Sequence, residues 1–449
     1  MRNPWRAVFL AFLVALPFLG RGLAQDAPAT QTVDPESAGA REAELAEDSR
    51  GLVAGAARAD ITPPPGLPLW GYGSRRDTPA RGTRDPLEAT ALVIGAGGRR
   101  MALVGLDLGR PPAREAMKAI EDRVRTEAGV ESLFLVASHT HHGPCVELES
   151  VEPTASWIET ASERIGGAVI EAARSLRPAK MAVLSRKVDL NRNRHSRIEP
   201  VPIDPAIRVL HLVDLEDRPI ATAVSFSAHP TTVSAGVLEY SADYPGHLRR
   251  LVERKVGGVC LFLQGAVGDL SCRRDGKDDR GFGESVGEEV VSLVAEAKPV
   301  RLESPSLAYR GEELRFGVRL RIDAPLTYAL YSRAFFPELV DAYVKEYEGG
   351  AVRPRLTVAL LDDRIGFVGV SGELFSAHAV RLRERARLEH LFVFSCTNGY
   401  QQYFPTIEAT AEGGYGADEL VSPIEIGAGE RIMDRALILL YELRRRRDP

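Results

Sequence analysis

The histidine-rich stretch at residues 138–144 is the part of the sequence best suited to chemistry. Ser138-His139-Thr140-His141-His142-Gly143-Pro144 places three of the nine histidines within four residues, directly after the uncharged apolar run 133–137. If extended geometry continues through this stretch, the two-residue period of a strand puts His139 and His141 on one face and His142 on the other. Two imidazoles on one face suit a metal site or proton transfer. A histidine-rich surface loop without function is the alternative.

A catalytic zinc ion needs two or three histidines, one carboxylate and a position left open for water. His139, His229 and Glu373 would supply such a set. Zinc lowers the pKa of water to about 7, which gives a nucleophile for a carbonyl or phosphoryl centre at neutral pH. These residues are far apart in the sequence, so only the fold could bring them together. For His229, which precedes Pro230, a structural role is the alternative.

A glycine-rich turn at residues 264–271, Gln-Gly-Ala-Val-Gly-Asp-Leu-Ser, also follows an apolar run. Glycines there would let the backbone approach a ligand closely. Ser271 could be a nucleophile or a hydrogen-bond donor to substrate, and an ordinary turn serine is the alternative. A G-x-S-x-G pattern at residues 283–287 follows the charged loop 273–280 and lacks the strand that a nucleophile elbow requires. We do not expect it to be catalytic.

Most of these residues follow apolar runs that we predict to be β-strands. Strands are predicted at 101–106, 133–137, 220–228, 259–263, 365–370 and 391–395, with strand-like alternation at 306–322. Apolar residues at helical spacing predict helices around 117–124, 158–176, 248–252, 374–388 and 432–443. The pattern indicates an α/β fold with mixed β-sheets flanked by helices.

Polar side chains that follow the predicted strands could converge although hundreds of residues separate them. The functional crevice of α/β proteins lies at the carboxyl ends of the strands. In chain order, these side chains are Asp107, His139, His141, His229, Asp269, Ser271, Glu373, Asn398, Tyr400 and Tyr403. The sequence therefore predicts one site at a shared edge of the fold.

The N-terminus has the features of an export signal. Residues 1–6 are basic, residues 7–19 are apolar and residues 22–24 are small, so we expect a signal peptide at 1–24 and a secreted or periplasmic protein. The apolar run is short for a membrane span, and an uncleaved anchor is the alternative. Residues 25–52 are predicted to be a flexible acidic linker, and residues 53–449 a single catalytic domain.

The net charge indicates which classes of partner to expect, and the cysteines indicate which covalent or metal bonds are available. The 449 residues include 57 Lys and Arg and 62 Asp and Glu, a net charge of −5 at pH 7, so we expect no nucleic-acid partner. Cys145, Cys260, Cys272 and Cys396 could form two disulfides in an exported protein or remain free buried thiols. A zinc thiolate at Cys145 or Cys272 is conceivable, although no C-x-x-C pair supports it.

A series of short motifs resembles the neutral, non-lysosomal ceramidase family. Their order and their spread from about residue 56 to 416 make the resemblance specific. The motifs are Arg58-Ala59-Asp60-Ile61-Thr62-Pro63-Pro64, Gly71-Tyr72-Gly73, Leu106-Asp107-Leu108, the stretch 138–144, Ala228-His229-Pro230-Thr231, Ser241-Ala242-Asp243-Tyr244-Pro245-Gly246, Gly268-Asp269-Leu270-Ser271, Ser371-Gly372-Glu373-Leu374-Phe375 and Asn398-Gly399-Tyr400-Gln401-Gln402-Tyr403.

The resemblance implies a catalytic domain of the neutral ceramidase type, without the C-terminal immunoglobulin-like domain of family ceramidases. It implies zinc (Zn²⁺) as the cofactor, bound by His139, His229, Glu373 and Tyr403. The chain departs from the family at two positions. Cys272 replaces the usual proline after the serine, and Gly416 replaces a glutamate.

The resemblance also implies four catalytic residues. His141 would donate a hydrogen bond or shuttle a proton, and Tyr415 would stabilise the oxyanion. Ser271 would contact the substrate or act as a nucleophile. Arg194 matches the family arginine, with Arg192 as the alternative register.

The implied reaction is hydrolysis of the amide of an N-acylated sphingoid base, which releases a fatty acid. The partner would be a small-molecule or lipid-like N-acyl substrate and could include transient contact with a membrane surface; the oligomeric state stays open. One alternative is a zinc hydrolase on the same scaffold that acts on another amide or ester, such as an acyl amino acid or a cell-wall or glycan derivative. Another is a non-catalytic exported protein that binds a metal or glycan.

Overall fold

A mixed β-sheet of nine strands lies at the centre of the computed structural model, which describes residues 51–445. Numbered along the chain, its strands in sheet order are β11 (Val259–Gln264), β9 (Pro219–Phe226), β8 (Ala206–Asp214), β6 (Arg177–Lys187), β1 (Val53–Asp60), β3 (Glu88–Ala96), β4 (Arg99–Leu106) and β5 (Ser132–Ala137), and β13 (Val300–Arg301) pairs with β6. β4 and β5 are parallel, as are β9 and β11, whereas the strands between them pair antiparallel. This mixed pairing confirms the predicted fold class.

A second sheet packs against the first. In the described part of the chain it has four strands, in the order β14 (Leu307–Glu313), β17 (Arg355–Leu361), β18 (Ile365–Val370) and β20 (His390–Phe394). Phe134 of the large sheet lies 6.5 Å from Phe367 and 6.2 Å from Phe394, measured between ring centroids. These rings are fully buried in the core between the two sheets. The two sheets therefore hold their strand ends in a fixed relation.

Helices cover the outer faces of both sheets. They are α1 (Arg114–Ala128), α2 (Thr154–Arg174), α3 (Asp243–Val256), α4 (Asp279–Ala295), α5 (Pro325–Ala334), α6 (Pro337–Glu346), α7 (Ser376–Ala386), α8 (Ile407–Glu412) and α9 (Ala428–Arg445). α1 to α4 pack on the large sheet, and α7 and α9 pack on the small one. Met117, Ile120 and Val124 of α1 are buried, as their helical spacing predicts, and α1 ends at Gly129 in the left-handed conformation.

Short strands complete the frame. They are β2 (Gly82–Thr83), β7 (Asn191–Asn193), β10 (Glu239–Tyr240), β12 (Leu270–Cys272), β15 (Phe316–Gly317), β16 (Ala351–Val352), β19 (Glu373–Leu374) and β21 (Tyr403–Phe404). β7 pairs with β12, and β19 pairs with β21. Single 3₁₀ turns occur at Gly73–Arg75, Val146–Leu148 and Glu348–Gly350.

The predicted strands are all present, with ends within two residues of the prediction, except at 306–322. There the regular strand stops at Glu313, so the longer prediction is wrong. The predicted signal peptide, and the predicted linker up to residue 50, lie outside the described residues. Within residues 51–445, no helix combines the length and apolar character needed to cross a membrane.

A buried ion pair attaches α3 to the large sheet. Arg249 donates hydrogen bonds to Asp107 and, at 2.8 Å, to Glu88. The Arg249 and Asp107 side chains are both buried. Burial raises the pKa of Asp107 to about 6, although Arg249 opposes this. Asp107, expected among the converging polar residues, is instead the partner of this arginine.

We predict that Arg249→Met lowers the free energy of unfolding by about 3–5 kcal/mol, because it leaves the buried Asp107 without its counter-charge. Chemical denaturation followed by circular dichroism measures the change. Arg250→Met on the same helix is the control, since Arg250 is partly exposed and lies 3.5 Å from Asp85; we expect less than about 1 kcal/mol for it. Equal losses in the two variants would contradict the assignment.

Candidate metal centre

Three histidine side chains meet beyond the carboxyl ends of β5 and β9. One ring nitrogen from each of His139, His141 and His229 lies within 4.8 Å of the other two. Within the described residues, this is the group of His, Cys, Asp and Glu side chains whose arrangement could hold a metal ion. His139 and His229 are fully buried. The fold thus brings together histidines that are 90 residues apart in the sequence.

The histidine-rich stretch reaches the site through a turn. β5 ends at Ala137, and His139 adopts a left-handed backbone conformation with φ of 70°, so the prediction of continued extended geometry is wrong. The rings of His139 and His141 nevertheless lie 5.3 Å apart, whereas Nε2 of His142 is 3.1 Å from the carbonyl oxygen of Ser234. A non-glycine residue in this conformation is strained, a feature that often occurs at functional sites.

Glu373 completes the group as its carboxylate. Its Oε1 lies 3.3 Å from Nε2 of His139, and its Oε2 lies 3.1 Å from Nε2 of His229. Tyr400 donates a 2.6 Å hydrogen bond to Oε1. The parallel pairing of β19 with β21 places Glu373 directly opposite Tyr403. Two short strands therefore position the carboxylate and the tyrosine together.

In both His139 and His229, a backbone carbonyl oxygen holds a proton on Nδ1. Nδ1 of His139 donates to Gly109 at 2.7 Å, and Nδ1 of His229 donates to Val267 at 3.0 Å. Burial and the nearby Arg194 lower the pKa of His229 to about 4. Neutral imidazoles with a proton on Nδ1 direct the lone pairs of Nε2 toward the site.

The ring nitrogens of His139 and His229 converge on the buried carboxylate of Glu373. Burial disfavours the ionised form of Glu373, but the adjacent His139 and His229 outweigh it and hold the pKa of Glu373 well below its ordinary value. Burial also lowers the pKa of His139, while Cys396 and Glu373 outweigh it and raise that pKa above its ordinary value. The arrangement therefore favours a cation, either a proton on His139 or a metal ion.

Buried atoms without hydrogen-bond partners support the metal ion. They are Nε2 of His139, both ring nitrogens of His141, and Oε2 of Glu373. Imidazole nitrogens and carboxylate oxygens are the ligands of catalytic metal sites. Nε2 of His229 accepts a 3.0 Å hydrogen bond from Arg194, so binding of a metal at this nitrogen requires the guanidinium to turn away.

Arg194 occupies the site, and Arg192 does not. Nη2 of Arg194 donates to His229, to the carbonyl oxygen of Gly268 at 3.0 Å, and to the hydroxyl of Tyr403 at 3.2 Å. Arg192 lies in β7, where it is exposed and opposite Ser271. Of the two sequence registers, the structure brings Arg194 to His229 and Tyr403.

Tyr415 lies at the edge of the same group. Its ring is 5.7 Å from that of Tyr403, and the guanidinium carbon of Arg194 is 5.8 Å from its centroid. Gly416 has a φ of 90°, and a Cβ there would lie 3.2 Å from the Phe375 ring. A glycine after Tyr415 therefore fits the close packing beneath the tyrosine.

Ser271 lies beside the site in β12. It forms an isolated parallel bridge with His229 and is half-buried. Its neighbour Cys272 donates from Sγ to the carbonyl oxygen of His229 at 3.3 Å. The four cysteines are buried and free, so the disulfides considered from the sequence do not form. Neither Cys145 nor Cys272 belongs to the metal-binding group found within residues 51–445.

Two other converging residues have structural roles. Asp269 accepts hydrogen bonds from the backbone and side chain of Ser376, at 2.6 and 2.8 Å, at the start of α7. Asn398 bonds to the backbone of Leu133 and Leu135 and holds β5 in place. Neither side chain contributes to the group of three histidines.

Two aromatic residues, Trp70 and Tyr400, support the site in ways that the sequence does not indicate. Trp70 packs its ring against His139 and His141 at centroid distances of 4.9 and 5.2 Å. Tyr400 bonds to Glu373, and its ring lies 5.7 Å from Trp70. Tyr400 stood among the residues that follow strands, but no motif in the sequence singled out Trp70.

An apolar cavity of about 390 Å³ opens onto the metal centre. Its lining combines site residues with aromatic and aliphatic side chains from α5, α6 and neighbouring loops. It includes His139, His141, Glu373, Trp70, Tyr72, Leu330, Tyr331, Phe335, Phe336, Leu339, Tyr343, Tyr400, Tyr403, Tyr415 and Leu420. The volume and lining are typical of a site for a small apolar ligand.

Comparisons with known proteins concern the fold. Neither a protein-family model nor a curated protein sequence matches the chain. A ceramidase complexed with C2 is 19% identical, with a TM-score of 0.73 covering 88% of this chain and 76% of that one. The neutral ceramidase from Pseudomonas aeruginosa is 19% identical, with a TM-score of 0.72 and coverage of 88% and 75%. The ceramidase-type fold expected from the motifs is thus confirmed.

We predict that the purified chain binds about one metal ion and that His139→Ala and His229→Ala lose it, because each variant removes a buried nitrogen ligand. Elemental mass spectrometry of the purified variants measures the content. His142→Gln is the matched control, since His142 belongs to the same stretch but contacts Ser234 instead. Metal retained in His229→Ala, or lost equally in His142→Gln, would contradict the centre.

Proposed function

We propose that the chain is a zinc-dependent amidohydrolase that cleaves the N-acyl amide bond of ceramide-like N-acylsphingosines to a fatty acid and a sphingoid base. The observation that carries this proposal is the position of the apolar cavity, whose lining includes His139, His141 and Glu373. An acyl chain in the cavity would present its amide to the histidines. The ceramidase-type fold supports the same reaction class.

His139, His229, Glu373 and Tyr403 are the proposed zinc ligands. A bound zinc ion would supply Lewis-acid chemistry, which polarises a carbonyl group and lowers the pKa of water. Burial and the charge of Glu373 raise the pKa of Tyr403 well above its ordinary value, so Tyr403 is a neutral phenol in the absence of a cation. His141 also offers a nitrogen to the centre, and its role as ligand or proton carrier is testable.

The proposed proton carrier is His141. It lines the cavity, and neither of its ring nitrogens has a hydrogen-bond partner. An unengaged imidazole beside the amide can receive a proton and return it to the leaving amine. Gly71 makes room for this ring, because a Cβ at Gly71 would lie 2.5 Å from Cγ of His141. The space for His141 therefore depends on a glycine.

Arg194 and Tyr415 are proposed to stabilise the developing oxyanion. Both lie beside Tyr403, and Tyr415 also lines the cavity. Hydrogen-bond donors fixed at the position of developing charge are among the largest contributions to catalysis. Ser271 does not line the cavity, so we assign attack on the amide to water rather than to this serine.

We predict that kcat/KM on N-acylsphingosines rises with acyl length until the cavity is filled, by roughly fourfold per methylene, since each buried methylene contributes about 0.8 kcal/mol.

His141→Gln should retain the metal while kcat falls by about 10² to 10⁴. Product release followed by mass spectrometry, with metal content determined on the same samples, measures both effects.

Three results would count against this function. Turnover without preference for long chains would indicate another amide or ester substrate. A metal-loaded protein without turnover on any N-acyl substrate would indicate a non-catalytic metal-binding protein. Loss of metal in His141→Gln would make His141 a ligand and remove its role as proton carrier.

We also propose that the mouth of the cavity contacts a lipid membrane. Leu330 and Leu420, each 48% exposed, and Tyr415, 64% exposed, line the cavity and face solvent. Leu326, which is 75% exposed, lies one turn before Leu330 on the same side of α5. Exposed apolar side chains that continue into an apolar cavity suit delivery of a lipid substrate.

We predict that Leu326→Ser weakens partition onto phosphatidylcholine vesicles by about tenfold, because burial of one leucine contributes about 1.5 kcal/mol. Co-sedimentation with vesicles measures the partition. Ile438→Ser on α9 is the control, since Ile438 has an exposed fraction of 48% and does not line the cavity. Equal partition of wild type and Leu326→Ser would exclude this surface.

A further inference from the structure

We propose that Arg110 is a positioning residue that couples the helices covering the cavity to the side chains around the metal centre. Arg110 lies in the loop after β4 and is only 3% exposed. No motif in the sequence points to it. The inference rests on the proposed function in treating the centre as a zinc site and the cavity as the site of an acyl chain.

The guanidinium of Arg110 joins two carboxylates from different parts of the chain. Nη1 donates to Oε1 of Glu147 at 3.4 Å, and Nη2 donates to Oε1 of Glu346 at 2.5 Å. Glu147 is buried, so it depends on a partner for its charge. Replacing Arg110 with a neutral residue would therefore disturb both carboxylates at once.

The Glu147 contact leads to the histidines. Oε1 of Glu147 also accepts a 2.8 Å hydrogen bond from Nε1 of Trp70. The Trp70 ring packs edge-on against His139 and His141. Arg110 thus orients the aromatic ring that supports two imidazoles of the centre.

A second contact leads to the carboxylate. The guanidinium carbon of Arg110 lies 5.2 Å from the centroid of the Tyr400 ring, within the range of a cation–π interaction. Tyr400 donates its hydroxyl to Glu373. Replacement of a residue that orients a metal ligand in this way usually changes metal affinity by roughly 10- to 100-fold.

A third contact leads to the cavity. Glu346 is the last residue of α6. Much of the apolar lining comes from α5, from α6, which includes Leu339 and Tyr343, and from Phe335 and Phe336 between the two helices. The ion pair between Arg110 and Glu346 fixes the end of α6 against the core. One buried cation therefore positions both the cavity wall and the metal ligands.

Three substitutions separate these contacts. Glu346→Gln weakens the link to α6 alone, Tyr400→Phe removes the hydrogen bond to Glu373 alone, and Arg110→Gln affects all of them. Two readouts that need no turnover are used on folded protein. Zinc affinity is measured by competition with a chromophoric chelator, and binding of a C16 fatty acid is measured by calorimetry on the zinc-loaded protein.

The link to Glu373 and the link to α6 should affect different measurements, zinc affinity and fatty-acid affinity respectively. Tyr400→Phe should weaken zinc binding by about 10- to 100-fold and retain fatty-acid affinity. Glu346→Gln should weaken fatty-acid binding and retain zinc affinity. Arg110→Gln should weaken both. Arg355→Gln is the matched control, since Arg355 forms a 2.6 Å ion pair with Glu121, and it should change neither.

The proposal is overturned if Arg110→Gln binds zinc and fatty acid as the wild type does. It is also overturned if Glu346→Gln leaves fatty-acid affinity unchanged, or if Arg355→Gln changes both affinities as strongly as Arg110→Gln. If Arg110→Gln does not fold, Tyr400→Phe and Glu346→Gln decide the outcome, because each tests one link alone. Failure of the hydrolase function would appear instead as absent turnover in a wild type that shows the expected binding pattern.

Discussion

A carboxylate buried away from water must be compensated, and the structure around the metal centre depends on how this is achieved for Glu373. An isolated buried charge is costly, so such groups are paired or bind metals. Glu373 faces Nε2 atoms of His139 and His229, whose Nδ1 protons are committed to backbone carbonyls. The hydrogen bond from Tyr400 compensates only one oxygen. The remaining deficit of positive charge makes this a group that could hold a metal ion.

The two sheets supply the rigidity that this arrangement needs. Phenylalanine rings between the sheets fix the ends of β5 and β18, and the pairing of β19 with β21 sets Glu373 opposite Tyr403. Several residues near these ends have positive φ, among them His139, Cys396 and Gln402. Such conformations persist only where the surrounding structure holds them. The packed strands therefore hold the strained turns that follow them, and these turns direct the side chains into the site.

The sequence predicts what depends on local pattern. Apolar runs identified the strands, and the polar residues after them included His139, His229 and Glu373. The same reasoning could not separate Glu373 from Asp107, because both follow strands and only tertiary pairing shows that Asp107 belongs to Arg249. The register of Arg194 over Arg192 likewise follows from the pairing of β7 with β12. Trp70, Arg110 and the apolar cavity depend on contacts between distant segments, which leave no signal in one sequence.

The wall between the metal centre and its surroundings combines two opposing requirements. In the proposed reaction the cavity must exclude water so that electrostatic interactions at the amide are strong, yet the side chains of the centre need polar support. Trp70 and Tyr400 meet both requirements, since each places a ring on the apolar cavity and donates one hydrogen bond to a carboxylate, Glu147 and Glu373 respectively. Tyr400 and Arg110 also border a polar cleft of about 890 Å³. A buried arginine at this boundary supplies charge to the polar side without admitting water to the apolar one, which is the reason we propose that support of the metal centre and closure of the cavity meet at Arg110.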